Sequence, residues 1–147
     1  MSTPWILDPR LNEGSAALGS IGAVQLRAMY RAPWPWLLLI PRQPDAIEMF
    51  DLVEPLRSRT CRLALELSAA LKREFMADKI NIGALGNVVA QLHLHIVARS
   101  VGDAGWPGPV WGRNEPPLSE ADQATRLQRL RLVVLQVALS EQGGAHE

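Results

Sequence analysis

One short stretch, Gln91-Leu92-His93-Leu94-His95-Ile96-Val97, restricts the possible folds more than any other part of this chain. Apolar and polar side chains alternate along it, and a β-strand sends successive side chains to opposite faces. The apolar face carries Leu92, Leu94 and Ile96. The polar face carries Gln91, His93 and His95, joined by Val97. Because a strand rises about 3.3 Å per residue, side chains of the polar row lie about 6.6 Å apart, which suits gripping or attacking one small polar group.

The bare His-x-His spacing leaves two other interpretations open. Histidines on a half-exposed strand are often solvated surface residues. Two histidines at this spacing can also supply two ligands to a metal ion. That site needs a third ligand, yet the only other histidine is His146 near the C-terminus, and Cys61 falls in a predicted helix. We therefore expect no metal.

Length and composition predict one globular domain over residues 1–147. The formal net charge is zero, which excludes a broad basic field for nucleic acid. A single cysteine excludes an internal disulfide framework and fits a reducing compartment. No apolar run approaches the length of a membrane span, and the N-terminus lacks the pattern of a signal peptide. We expect a cytoplasmic protein without a membrane partner.

The first twenty or so residues predict a covering segment rather than a core element. Its apolar anchors are Trp5, Ile6, Leu7 and Leu11. Several glycines and serines loosen the rest of this segment.

Three further strands are predicted from apolar pattern. Residues 24–29 alternate, and Trp36–Ile40 is a continuous apolar run typical of a buried central strand. The prolines between them indicate a turn. A third strand is predicted in "KINIGALG", residues 79–86, where Ile80 and Ile82 share a face.

Helical spacing predicts three helices. Asp45 opens a short one, with Glu48 three residues later in a capping-box arrangement. A break near Pro55 separates it from a long helix that reaches about Met76. The last helix covers about 119–141, capped by Ser119, and is apolar nearly all round, which predicts burial on two sides.

A short turn at Gly86-Asn87 allows the strand at 79–83 to pair antiparallel with the histidine strand. That pairing brings Asn81 to the face of the two histidines. There it can bind a ribose hydroxyl or a phosphate, or it can simply be a polar residue on the wet face of a sheet.

The stretch "NIGALGNVVAQLHLHIVAR", residues 81–99, resembles the histidine triad (HIT) family of nucleotide hydrolases and transferases. The family signature is His-x-His-x-His followed by two apolar residues, and here Gln91 takes the first place. The segment "WPGPVWG", residues 106–112, resembles the tail of a bacterial branch whose motif begins with glutamine. The resemblance extends from about Leu11 to Trp111.

This resemblance implies an α+β fold, in which a mainly antiparallel central sheet carries the long helix on one face and the histidine row on the other. It implies a nucleotide ligand, no cofactor and a homodimer. It also makes His93 the nucleophile and His95 the donor to a phosphoryl oxygen. Backbone N–H groups of Gly86, Asn87 and Val88 would cradle the same charge, with Asn81 as a further ligand contact.

Two departures from the family pattern change these expectations. Glutamine hydrogen-bonds but cannot carry a proton as a cation, so any proton relay through Gln91 is altered. Tyr30 stands near the place where many members carry an acidic or amide residue against the ribose. The expected activity is nucleotidyl hydrolysis or transfer, and the alternatives are a nucleotide-binding protein with little turnover or a metal-binding or purely structural domain.

Overall fold

A five-stranded antiparallel sheet forms the centre of the computed structural model, which describes residues 3–144. The strands are β1 (Ala16–Ile21), β2 (Val24–Ala28), β3 (Trp36–Pro41), β4 (Lys79–Gly83) and β5 (Leu94–Arg99). The helices of the described chain are α1 (Pro9–Gly14), α2 (Leu56–Glu74) and α3 (Glu120–Gly143). The strand order is β1-β2-β3-β5-β4, so the apolar β3 and the histidine-bearing β5 lie at the centre. The α+β expectation is confirmed.

One face of the sheet is covered by α2 and α3. Leucines at helical spacing on α2, such as Leu63 and Leu67, are fully buried against Leu26 of β2 and Ile96 of β5. Burial of each such side chain stabilises the fold by roughly 1.5–3 kcal/mol, because its apolar surface is removed from water. The long helix packed on the sheet therefore holds β5 in place from behind.

The other face has its own apolar cluster, which includes Trp34, Trp36, Leu38 and Val97. The N-terminal segment covers it with Trp5, Leu7 and Leu11, while Ile6 points to solvent and is 73% exposed. The expected covering segment therefore exists, but its later part is ordered as α1 and as the edge strand β1.

The histidine strand begins later than predicted. β5 starts at Leu94, so Gln91 and His93 lie in the loop before it, and residues 84–93 replace the expected short turn. The reason is pairing: Leu94 is the first residue opposite β3, at Leu39, and Gly83 at the end of β4 already faces His95. Periodicity marks which side chains alternate, but a strand needs a neighbouring backbone.

The predicted helix opening at Asp45 is wrong. Asp45 has a positive φ of 61°, and the following residues form only a short 3₁₀ turn, Met49–Asp51. The capping box is made by Glu48 and Asp51, because the Asp51 carboxylate accepts from the backbone N–H of Ile47 and Glu48. Side-chain bonds of this kind compete with helical ones.

The final helix is capped by Ser119 as predicted, with its hydroxyl accepting from Asp122 N–H at 3.1 Å. Burial on two sides is not seen in the described chain. The side facing the sheet is buried, whereas Leu132, Leu135 and Leu139 remain 50%, 52% and 57% exposed.

Candidate active site

His95 occupies the middle of the sheet, opposite Leu38 of β3 and Gly83 of β4. Its side chain is only 9% exposed. The indole N–H of Trp36 donates to His95 Nδ1 at 3.0 Å. Because an indole nitrogen can only donate, Nδ1 is the unprotonated nitrogen of His95, and in the neutral ring Nε2 carries the hydrogen.

The pKa of His95 is lowered from its usual 6.5 to about 4, first by burial and then by the neighbouring His93. Both causes disfavour the imidazolium form. Near neutral pH His95 is therefore a neutral ring whose Nε2–H can donate a hydrogen bond to a ligand.

His93 is fixed in the opposite tautomer. Its Nδ1 lies 2.7 Å from the backbone oxygen of Gln91. A carbonyl oxygen only accepts, so Nδ1 of His93 carries the hydrogen and donates, and in the neutral ring Nε2 keeps its lone pair. The His93 ring stands edge-on to that of His95, with centroids 4.8 Å apart, and its side chain is 7% exposed. A lone pair and an N–H donor therefore lie on adjacent imidazoles.

Both polar atoms of the Gln91 side chain bind the N-terminal segment. Its Oε1 accepts from Asp8 N–H at 2.9 Å, and its Nε2 donates to the Ile6 carbonyl at 2.8 Å. Gln91 thus clamps the backbone of residues 6–8 beside His93, and its own carbonyl oxygen orients that ring.

Asp8 and Arg10 extend this clamp to the loop of residues 84–93. Arg10 donates to both carboxylate oxygens of Asp8 and, through Nη1, to the Val88 carbonyl at 3.0 Å. Its hydrogen bonds hold the pKa of Asp8 at about 2, with a smaller contribution from His93. The Asp8 carboxylate is therefore a permanent anion near the candidate nucleophile.

The three residues expected to cradle a phosphate, Gly86, Asn87 and Val88, lie in the same loop. Gly86 adopts a positive φ of 69°, which glycine accepts without strain. Asn87 is exposed, and Val88 is 82% exposed. The bond from Arg10 to Val88 ties this loop to the histidines through the N-terminal segment.

Asn81 reaches the histidine face as predicted, because β4 pairs antiparallel with β5 and sets Asn81 opposite Val97. Its Oδ1 accepts from Arg99 at 3.2 Å, which orients the amide and leaves its N–H groups for another acceptor. Arg99 is 1% exposed and also binds Asp103 and the Gly108 carbonyl. It therefore anchors the loop after β5.

That loop places Trp111 against the site. Its ring meets the rings of His95 and Trp36 edge-on, at centroid distances of 5.6 and 6.3 Å. The absence of a side chain on Gly83 makes room for it, since a Cβ there would come within 3.3 Å of the indole. The tryptophan-rich loop thus covers His95 as well as the apolar cluster.

Sequence reasoning missed four contributors to this site. Trp36 was visible only as the first residue of an apolar strand, Arg99 only as the residue after the motif, and Asp8 and Arg10 only as part of a covering segment. Two charges inside an apolar covering segment were the available signal. Nothing local indicated that the Trp36 N–H faces a histidine.

A cavity of about 640 Å³ lies between the β1–β2 turn, α2 and the end of α3, lined by residues such as Arg59, Glu66 and Glu141. Its four charged groups are paired or opposed in sign, and neither His93 nor His95 lines it. We place the candidate site at the histidines because their geometry, rather than a volume, supports chemistry.

Within residues 3–144, no three His, Cys, Asp or Glu side chains come together as a metal site. His146, the possible third ligand, lies outside the described residues. None of the described helices has the length and apolar character needed to cross a bilayer.

The antiparallel sheet and the paired histidines at the start of a central strand define a histidine triad protein. The HIT domain model matches residues 15–102, and the chain belongs to this family of nucleotide hydrolases and transferases. Among curated proteins, none matches the sequence.

Solved structures of bacterial histidine triad proteins resemble the chain closely. The protein from Sinorhizobium meliloti is 41% identical, with a TM-score of 0.79, covering 86% of this chain and 94% of its own. The protein from Bradyrhizobium japonicum is 42% identical, with a TM-score of 0.81 and coverages of 88% and 97%. That from Marinobacter aquaeolei is 36% identical, with a TM-score of 0.84 and coverages of 91% and 98%.

Proposed function

We propose that this chain is a nucleotide-phosphate hydrolase or nucleotidyl transferase that works through a nucleotidyl-histidine intermediate on His93, as a cytoplasmic protein. The opposite tautomers of the two histidines support this proposal most strongly. His93 offers a lone pair at Nε2, and His95 offers an N–H at Nε2, on rings 4.8 Å apart. A nucleophile beside a neutral donor is what attack on a phosphate needs.

The reaction has two steps. The Nε2 lone pair of His93 attacks the α-phosphorus, a P–N bond forms, and the bond to the leaving group breaks with its electron pair on that group. Water, or another hydroxyl in a transfer, then attacks the same phosphorus and releases its proton to solvent as the P–O bond forms, and the P–N electron pair returns to His93. The covalent route divides one difficult displacement into two easier ones.

The surrounding groups stabilise charge on the phosphoryl oxygens. His95 donates from Nε2, and backbone N–H groups of Gly86, Asn87 and Val88 are proposed to cradle the same oxygens. The free N–H groups of Asn81 are proposed to bind a ribose or phosphate oxygen. Gln91 contributes by orienting His93 through its carbonyl oxygen.

Nucleotide binding with little turnover is the second candidate. The observation that favours it is the enclosure of the histidines, which are 7% and 9% exposed beneath a clamped N-terminal segment. Turnover, unlike binding at the rim of the site, requires that the α-phosphorus reach His93 and therefore that the nucleotide displace part of this cover.

The test is a quench experiment with a labelled dinucleotide or nucleoside phosphoramidate, stopped under alkaline conditions in which an N-linked phosphoramidate survives. Label should remain on the wild type and on His95→Ala, and be absent from His93→Ala. Turnover with label retained in His93→Ala would remove the nucleophile assignment. Binding without turnover or label in the wild type would establish the second candidate.

A further inference from the structure

Arg10 stands on the N-terminal segment at the edge of the candidate active site. Its Nη1 donates to the Val88 carbonyl at 3.0 Å, and its Nε and Nη2 donate to the Asp8 carboxylate at 3.0 and 2.8 Å. Because Gln91 holds the backbone of Asp8 and Val88 belongs to the proposed phosphate cradle, the guanidinium is fixed between these two elements.

The guanidinium has donors left for a ligand. It carries five N–H groups in a planar fork that matches phosphate geometry, and three of them are engaged by Asp8 and Val88. The other two have no acceptor within the described residues, and the side chain is 58% exposed. Since Asp8 offsets part of the positive charge, recognition here depends on directed N–H donors.

The chemistry of Gln91 indicates which kind of leaving group a cation such as Arg10 can assist. An amine leaving group needs a proton as its bond to phosphorus breaks, and an uncharged amide cannot provide one. A phosphate leaving group departs as an anion and needs charge stabilisation instead. A site that has glutamine at the first position of the triad motif and an arginine at its edge therefore suits a phosphate leaving group better than an amine.

We propose that Arg10 binds the phosphate next to the α-phosphate, so that the substrates are nucleotides whose α-phosphate carries a further phosphate. In the first step the bond between the α-phosphorus and the bridging oxygen breaks. The electron pair stays on that oxygen, and the phosphate leaves unprotonated against the two free N–H groups of Arg10. This step rests on the proposed function, whereas the binding contact does not.

Binding is tested in the His93→Ala variant, which prevents consumption of the ligand. Calorimetry with adenosine and guanosine mono- and diphosphates should show tighter binding of a diphosphate. Arg10→Gln should reduce that preference by roughly ten- to a hundredfold, the usual range for a charge-assisted hydrogen bond. Arg10→Lys should keep part of it, because the charge remains but the fork is lost.

Arg62→Gln is the matched control. Its side chain is 59% exposed and also lies near carboxylates, but on α2, away from the histidines. It should leave the diphosphate preference unchanged. Equal preferences in the parent and in Arg10→Gln, or no preference in the parent, would overturn the proposal.

Turnover separates this inference from the proposed function. Arg10→Gln in otherwise wild-type protein should lower kcat/KM for a dinucleoside polyphosphate while an adenosine phosphoramidate is spared. Equal losses on both substrates would make Arg10 a merely structural residue and overturn the proposal. A lost diphosphate preference in a protein that forms no covalent label would retain Arg10 as a phosphate ligand and reject the nucleotidyl-histidine route.

Discussion

A protein selects which nitrogen of an imidazole carries the hydrogen by choosing the partner of the other nitrogen. Here the Trp36 N–H keeps Nδ1 of His95 unprotonated, whereas the Gln91 carbonyl requires a hydrogen on Nδ1 of His93, only two residues away. The two rings can therefore take different parts in one reaction, although their sequence surroundings are almost the same.

Without the Trp36 donor, His95 should no longer be held in a single tautomer. In Trp36→Phe, nitrogen NMR should show mixed protonation at Nδ1 and Nε2 of His95, and turnover should fall by roughly a hundredfold, the low end of the range for a general acid–base group. Trp34→Phe is the control, because the neighbouring Trp34 donates to the Ala104 carbonyl at 3.0 Å instead. Unchanged His95 spectra in Trp36→Phe would contradict the tautomer assignment.

Loss of the two histidines should differ in kind. His93→Ala should lower turnover by several orders of magnitude while nucleotide binding largely survives, because the other ligand contacts remain. His95→Ala should reduce the rate roughly a hundred- to thousandfold, by analogy with loss of one oxyanion donor. Rate constants from single-turnover kinetics and dissociation constants separate the two effects, and similar losses in both would contradict the assigned parts.

At the scale of elements, the site is assembled by segments that are not strands. The N-terminal segment, the loop of residues 84–93 and the loop after β5 meet over the histidine face of the sheet. Loops commonly carry binding groups on a rigid scaffold. The central strands supply the rigid part, and side-chain bonds to backbone atoms fix the loops.

The N-terminal segment should loosen when its clamp is removed. Gln91→Ala deletes two hydrogen bonds, so hydrogen exchange at the Asp8 amide should quicken. Gln43→Ala is a matched control, because Gln43 also makes two backbone bonds, to Asp51 and Val53. In that variant exchange should quicken at Val53 and stay unchanged at Asp8. Unaltered exchange at Asp8 in Gln91→Ala would show that the apolar anchors alone hold the segment.

The packing of Trp111 on β4 should be sensitive to one added methyl group. In Gly83→Ala the new Cβ lies 3.3 Å from both Trp111 and Leu85, so overpacking should cost about 1 kcal/mol in the free energy of unfolding. Gly14→Ala meets nothing within 4 Å and should be neutral or slightly stabilising. Denaturant unfolding of the two variants checks this difference, and equal stabilities would contradict the close packing.

At the scale of the whole molecule, burial of His95 makes folding stability depend on pH. The pKa of His95 is about 4 when folded and about 6.5 when unfolded, so the unfolded chain takes up its proton first. Stability is therefore full above pH 6.5 and decreases toward pH 4, by about 3 kcal/mol for this group. Protonation would also remove the acceptor for the Trp36 N–H.

Chemical unfolding at several pH values should show this loss in the wild type and a weaker one in His95→Gln. Glutamine does not titrate, so the part of the slope due to His95 disappears. Parallel pH profiles for the two proteins would place the acid sensitivity in other groups.

Exposed leucines of α3 bear on the assembly of the whole molecule. We propose that they form the contact between two copies of the chain. The family resemblance implies a homodimer, and Leu132, Leu135 and Leu139 are half exposed on one helix. Light scattering at micromolar concentration should give the mass of a dimer for the wild type and of a monomer for Leu135→Glu. Val53→Glu, at a site that is 63% exposed, should remain dimeric. A wild-type monomer would contradict the proposal.

What the sequence determined by itself was local in origin. The alternation around His93 and His95, the apolar run of β3 and the leucine spacing of α2 each predicted an element, because a repeating side-chain pattern indicates which face is buried. The triad motif added the family.

Tertiary structure decided the rest: the start of β5, the helix expected at Asp45 and the second buried side expected for α3. Each of these depends on which neighbouring segment is present. The same holds for the contacts that select the histidine tautomers. It also holds for the hydrogen bonds of Gln91 to Ile6 and Asp8, which are separated from it by 85 and 83 positions along the chain. Periodicity describes one segment at a time, whereas a hydrogen bond between distant segments exists only after the chain has folded.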